Sequence, residues 1–270
     1  MSHPALIDIG ANLTHESFAN DLSTVLSDAH AVGVERLVIT GASVEGAKAA
    51  LTLATNHSGT LFATAGVHPH HAKDWQSADA GELRELLSAP EVVAAGECGL
   101  DYFRNFSSPQ QQADVFERQL ALAVEAEKPV FLHQRDAHDA FLEILDAYLP
   151  RLTRAVAHCF TGNGLELDHY IERGLYVGIT GWICDERRGH HLIDLVPRIP
   201  DERLMIETDA PYLMPRTIRP KPKTRRNEPK YLPEVLRAVS AAAGREPQEL
   251  ARQTTRNAER FFELPARPPG

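Results

Sequence analysis

The sequence predicts a (β/α)8 barrel, a TIM barrel of α/β class. Eight short apolar runs are spaced along the chain, with amphipathic stretches between them. A strand followed by a helix, repeated, builds a parallel sheet. The 270 residues also suit a closed barrel, which takes roughly 250. A doubly wound open sheet shares the alternation. No Gly-x-Gly-x-x-Gly opens a helix here, which weakens its dinucleotide-binding form.

The apolar runs place strands at 6–10, 36–41, 61–67, 92–97, 129–133, 155–160, 175–178 and 203–209. Between the fourth and fifth, "PQQQADVFERQLALAVEAEK" is the clearest helix. Pro109 suits its first turn after Ser107 and Ser108, and Ala113, Phe116, Leu120 and Ala123 keep one face. No linker or strong repeat interrupts the chain. Residues 1–264 read as one domain, and 265–270 as a frayed tail.

The chain is 43% hydrophobic with a formal net charge of −9. That balance opposes attraction of the whole surface to nucleic acid or anionic membrane and leaves a local basic groove open. Cys98, Cys159 and Cys184 have no paired spacing, as in a reduced, intracellular protein. No leader-like segment opens the sequence, and no run approaches 18 apolar residues. The expected location is the cytoplasm.

Polar residues gather where the strands end. Strand four, "VVAAGE", ends on Glu97, and a buried unpaired carboxylate is costly. Strand five ends on His133, strand six runs through His158, strand eight reaches Asp209, and strand three runs into His68 and His70. In a barrel these ends converge on one mouth, where active sites sit. Two histidines and two carboxylates suit Zn, Mn, Fe or a comparable divalent ion. Such a site activates water for attack on a phosphoryl or acyl centre. With Glu97 and His158 facing the mouth, alternation turns Cys98 and Cys159 away as packing groups. A single strand-end histidine is more often structural; four such ends together are not explained by packing.

After Asp209, residues 215–230 hold seven cations and one acid, with four prolines. Proline disfavours a helix, so this is a loop. Two readings stand: a phosphate-contacting arm, or a solvated loop paired with local acids. Tyr102, Phe103, Phe106, Trp182 and Tyr212 either stack on unpaired bases or pack their loops.

The stretches "TAGVHPH", "GECGLDYFRNF", "PVFLHQRDAH", "HCFTG", "GITGWICDERRG", "IETDAPYL" and "RRNEP" resemble the TatD family of metal-dependent deoxyribonucleases over nearly the whole chain. The resemblance implies a barrel of the metallo-dependent hydrolase type. It also implies a cytoplasmic, Mg2+-dependent 3′-to-5′ exonuclease favouring single-stranded DNA, with RNA as a further substrate, in DNA repair or degradation; Mn2+ or Zn2+ are the other candidate ions. Motif match makes Glu97, His133 and His158 metal ligands, Asp209 a ligand or general base, and His68 a neighbour of the substrate phosphate. Arg216, Arg225, Arg226 and Tyr102 are the expected substrate contacts. No membrane partner is expected, and the protein is expected to act as a monomer.

The sequence departs from the wider family on strand one, which commonly opens Asp-x-His-x-His. Here Gly10 and Asn12 stand in register with those histidines. The expectation is one firm metal site and one weak site filled only with substrate phosphate present. Fewer imidazoles favour a hard ion such as Mg2+. Two rival readings use the same motifs: a deacylase acting on aminoacyl-tRNA, and a degenerate barrel that binds nucleic acid without turnover.

Overall fold

A computed structural model describes residues 5–266, so residues 267–270 of the expected tail lie outside the described residues. Eight strands form one sheet in chain order: β1 Leu6–Ala11, β2 Val34–Ile39, β3 Leu61–Ala65, β4 Val92–Asp101, β5 Val130–Arg135, β6 Ala155–Ala157, β7 Tyr176–Ile179 and β8 Leu204–Ile206. Helices follow the strands: α1 Leu22–Ala31, α2 Val44–Asn56, α3 Asp79–Leu87, α4 Pro109–Glu125, α5 His138–Tyr148, α6 Gly164–Glu172, α7 His191–Leu195, and after β8 both α8 Leu232–Ala243 and α9 Pro247–Phe262. The resolved pairings are parallel. The segment that continues from the last strand meets the first: Asp209 N donates to Gly10 O (2.8 Å) and Asn12 N to Ala210 O (2.7 Å). This is the strand order of a (β/α)8 barrel, and the open-sheet alternative falls.

All eight expected strands are present, and their ends differ. β4 continues four residues past Glu97 to Asp101 because its carboxyl half pairs with β5 out to Asp101–Arg135. β8 stops at Ile206, so Asp209 lies beyond it, in the left-handed region at φ 54°. β2 begins earlier, at Val34, where Gly33 (φ 91°) turns the chain out of α1.

The chain packs as two compact units: Thr40–His158, and the residues up to Ile39 together with those from Cys159 on. In the first, β3 to β6 pair in order beneath α2 to α5. α4 begins at a capping box in which Ser108 and Gln111 satisfy each other's backbone donors. Its inner face buries Val115, Phe116, Leu120 and Ala123, and Phe116 stacks on Phe141 of α5 at 5.3 Å. Gln112 and Gln119 share that face and are buried too.

In the second unit β7 and β8 pair, and β1 pairs with β2. α9 lies against β1 and β8, where the buried Asn257 donates to the carbonyls of Asp201 (2.7 Å) and Leu204 (2.8 Å). β1 is buried along its whole length, as expected of a parallel strand covered on both faces. No described helix is long and apolar enough to cross a membrane.

Candidate metal centre and active site

Glu97 owes its position to glycines. A Cβ at Gly96 would stand 2.2 Å from Phe131 O, and one at Gly99 1.9 Å from His133 O. Both glycines have positive φ, which other residues adopt at a cost. The backbone of β4 thus lies hard against β5 on either side of Glu97. The register shifts between Gly96 and Cys98, and such an irregularity re-aims a side chain. The N–H of Glu97 donates to Gly41 O (2.9 Å), and that of His68 to Ala42 O (2.9 Å). One short segment after β2 therefore holds both residues.

Three imidazoles surround one carboxylate oxygen. His133 Nδ1 and His158 Nε2 each lie 2.9 Å from Glu97 Oε1, and His68 Nε2 lies at 3.4 Å. Glu97 is 6% exposed. Burial alone would raise its pKa. Attraction to His158 and His68, with hydrogen bonds from His133 and His158, overrides that and holds it well below the usual carboxylate range. Burial drives His68 well below its ordinary value; Glu97 opposes this and the neighbouring imidazoles add to it. His133 is the reverse case: the neighbouring Asp101 and Glu97 carboxylates outweigh burial and raise it.

These donors fit a divalent ion. His68, Glu97 and His133 each offer a ligand atom, all within 4.8 Å of one another, and His158 reaches the same carboxylate. His133 Nε2 is buried without a hydrogen-bond partner. Mixed imidazole and carboxylate donors suit Zn2+, Mn2+ or Mg2+. The structure therefore brings Glu97, His133 and His158 together, and adds His68 to their cluster.

A second carboxylate went unread as a site residue. Asp101 Oδ2 accepts from His70 Nε2 at 2.8 Å and lies 3.4 Å from His133 Nε2. Burial alone would raise its pKa, but the nearby His133 imidazole and hydrogen bonds from His70 and the Arg104 N–H hold it well below the usual range. Buried Gln112 grips its backbone, accepting from Asp101 N (2.8 Å) and donating to Asp101 O (3.1 Å) and Ser107 O (2.8 Å). Gln119 does the same for Val67, one residue before His68, accepting from its N–H (2.7 Å) and donating to its carbonyl (2.9 Å). The available signal was two glutamines seven residues apart on the inner face of α4.

In the other unit Asp209 Oδ1 accepts from Asn12 Nδ2 at 3.0 Å, and Asn12 also donates to Ala210 O at 3.2 Å. Asn12 thus turns its amide nitrogen toward Asp209. Asp8 is fully buried and accepts from Thr208 N at 2.9 Å; burial pushes it up to about 7 against those hydrogen bonds. Gly178 leaves room for the buried Glu207, whose Oε1 would meet a Cβ there at 2.3 Å. Cys98 is buried, with its thiol pushed up by burial. Cys159 is half-buried, 3.7 Å from Thr180 Oγ1.

The chain after β8 is a loop, and its cations divide. Arg226 donates to Asp21 (2.9 and 2.6 Å) and Glu228 (3.0 Å). Lys230 pairs with Asp28 and Glu228. Arg216 makes a two-pronged contact with Glu186 at 3.0 and 2.9 Å. Lys221, Lys223 and Arg225 are exposed, with no acid paired to them among the described residues. Arg216, Arg219, Lys221 and Arg225 line a groove of about 1040 Å3 together with Trp182 and Arg188. Tyr102 is half-buried, with its phenol pushed up by burial.

A parallel barrel with a buried carboxylate ringed by imidazoles is the arrangement of a metal-dependent hydrolase. Residues 7–263 match the TatD related DNase family, and the chain belongs to that family. It is 51% identical over 259 residues to the "3'-5' ssDNA/RNA exonuclease TatD" of Erwinia tasmaniensis, covering 96% of this chain and 100% of that protein. A protein of the same name from Salmonella typhimurium is 49% identical, with 96% and 99% covered. Among solved structures, a TatD family hydrolase from Entamoeba histolytica superposes with a TM-score of 0.87 at 26% identity, covering 97% and 99% of the two chains. A TatD homolog from Escherichia coli gives 0.86 at 27%, covering 96% and 98%.

Proposed function

We propose that this protein is a metal-dependent nuclease that removes nucleotides from the 3′ end of single-stranded DNA or RNA. The observation that carries the reading is the buried Glu97 carboxylate beneath three imidazoles, in a chain half identical to relatives named as such exonucleases. The proposed ion is Mg2+, held by Glu97, His133 and His158. Residues 1–264 are proposed to work as one catalytic domain, monomeric and cytoplasmic.

When bound, a divalent ion there polarises a phosphoryl oxygen and lowers the pKa of water. Glu97 keeps its negative charge through the reaction, because its neighbours hold it far from protonation. His68 is neutral near pH 7, so its N–H donates to a phosphate oxygen without carrying a full charge. Asp209, oriented by Asn12, takes the proton of the attacking water. As the water oxygen bonds to phosphorus, the P–O bond to the neighbouring nucleotide breaks, and its oxygen leaves with a proton from solvent. Arg225 and Tyr102 contact the strand, and Arg216 does so by exchanging Glu186 for phosphate. Arg226 is assigned a different role, holding the loop to α1 through Asp21.

The relatives' names favour this nuclease over a deacylase or a binding-only barrel. The test is a 5′-labelled single-stranded oligonucleotide with Mg2+. A ladder shortening from the 3′ end is expected, with a matched duplex degraded more slowly. An intact strand with Mg2+, Mn2+ and Zn2+, together with amino-acid release from aminoacyl-tRNA, would replace the reading with the deacylase.

A further inference from the structure

The loop that follows β4 carries an unexplained surface. Phe103 is 54% exposed and Phe106 56%. Exposed apolar side chains scattered singly need no explanation, but these two share a five-residue loop. Each is flanked by a polar planar group: the Arg135 guanidinium carbon lies 3.9 Å from the centre of the Phe103 ring, and His70 lies 4.8 Å from Phe106, centroid to centroid. Arg104 lies 5.7 Å from Phe103. Neither Arg104 nor Arg135 pairs with an acid among the described residues. Two open rings thus share one short loop, and two guanidinium groups with no acid partner lie beside the Phe103 ring, in a chain of net charge −9.

The loop is held in place. Gln112 binds the carbonyls at both its roots, Asp101 and Ser107. Ser107 Oγ accepts from Lys73 N (3.0 Å) and donates to His70 O (3.1 Å). Tyr102 N donates to Arg135 O (2.9 Å), and Asn105 Nδ2 to Tyr102 O (2.5 Å). A loop built only to bury its aromatics would turn them inward. This one fixes its backbone and leaves the rings outside. It is also tied to the metal cluster: Phe106 touches His70, and His70 shares Asp101 with His133.

We propose that residues 102–106 form a stacking platform for unpaired bases, with Phe103 and Phe106 taking base faces and Arg104 and Arg135 taking the adjoining phosphates. The inference rests on the nuclease reading and deepens it: a rigid ring pair accepts any unpaired base and no paired one, so it selects single strands without reading sequence. The arginines supply the charge complementarity.

The test is binding by fluorescence anisotropy with a chelator present, so that no turnover is needed. A single-stranded oligonucleotide is compared with one of equal length whose residues are abasic. The wild type is expected to favour the base-bearing strand by about ten-fold or more. The double variant Phe103→Ala, Phe106→Ala is expected to lose that preference with its melting temperature unchanged, and Phe103→Trp, Phe106→Trp to keep it. A wild type with no preference, or no binding of either strand, overturns the platform. A double alanine variant that keeps the preference overturns it equally. A preference that behaves as expected in a protein that hydrolyses no strand would leave the platform standing and remove the nuclease reading.

Discussion

Gln112→Met isolates the work of one buried amide. Gln112 is 1% exposed and makes three hydrogen bonds, to Asp101 N, Asp101 O and Ser107 O. Methionine has nearly the same volume and flexibility, so the helix face stays filled. What changes is that Asp101 N and Ser107 O lose their partner, while Asp101 O keeps only the long bond from Asn105 N (3.4 Å). Each orphaned group costs about 1 kcal/mol or more, so the variant should be less stable by roughly 2–4 kcal/mol. Urea unfolding near pH 7 measures this as a lower midpoint at unchanged slope. The loosened loop roots should also weaken the preference for base-bearing strands. A loss below about 1 kcal/mol would refute the claim that Gln112 pins the segment carrying Asp101.

Asp101 is held well below the usual carboxylate range. Below about pH 4 the unfolded chain therefore binds a proton that the native one does not. Its contribution is full above that pH and is lost as the pH falls through the depressed native value; Asp101→Asn should flatten the acid limb of melting temperature against pH, and an unchanged limb would contradict the assignment. Asn12→Leu removes a donor from Asp209 and should lower kcat about ten-fold, the equivalent of one charge-assisted hydrogen bond, read in single-turnover cleavage. Arg225→Ala should reduce the slope of log affinity against log salt by about 0.7. Arg226→Ala should leave that slope intact and cost roughly 1 kcal/mol of stability; interchanged behaviour would reverse the roles given to the two arginines.

The strands were legible because parallel strands buried on both faces read as apolar runs, and the punctuation at Glu97, His133 and His158 survived into space. Helix α4 was legible from its period and its serine cap. The ends of strands were harder. Nothing in "IETDAPYL" shows that the ladder stops at Ile206, since that depends on which backbone groups find partners on β7 and β1. Asp101 was hidden because the continuation of β4 depends on its pairing with β5 and on the room Gly99 leaves for His133 O. Buried glutamines were hidden for another reason: a polar residue on an apolar face reads as a break in pattern until its backbone partners are known. Within residues 215–230 sequence marks every cation alike, whereas Asp21, Asp28 and Glu186, distant in sequence, decide which of them are occupied.

The most direct measurement is paired Mn2+ binding and strand cleavage by the wild type and Glu97→Gln, with Mn2+ followed by electron paramagnetic resonance. The account predicts that the folded variant loses tight Mn2+ binding and 3′-end cleavage together. A folded Glu97→Gln protein that still binds Mn2+ and shortens the strand at the wild-type rate would contradict the central role of the Glu97 cluster.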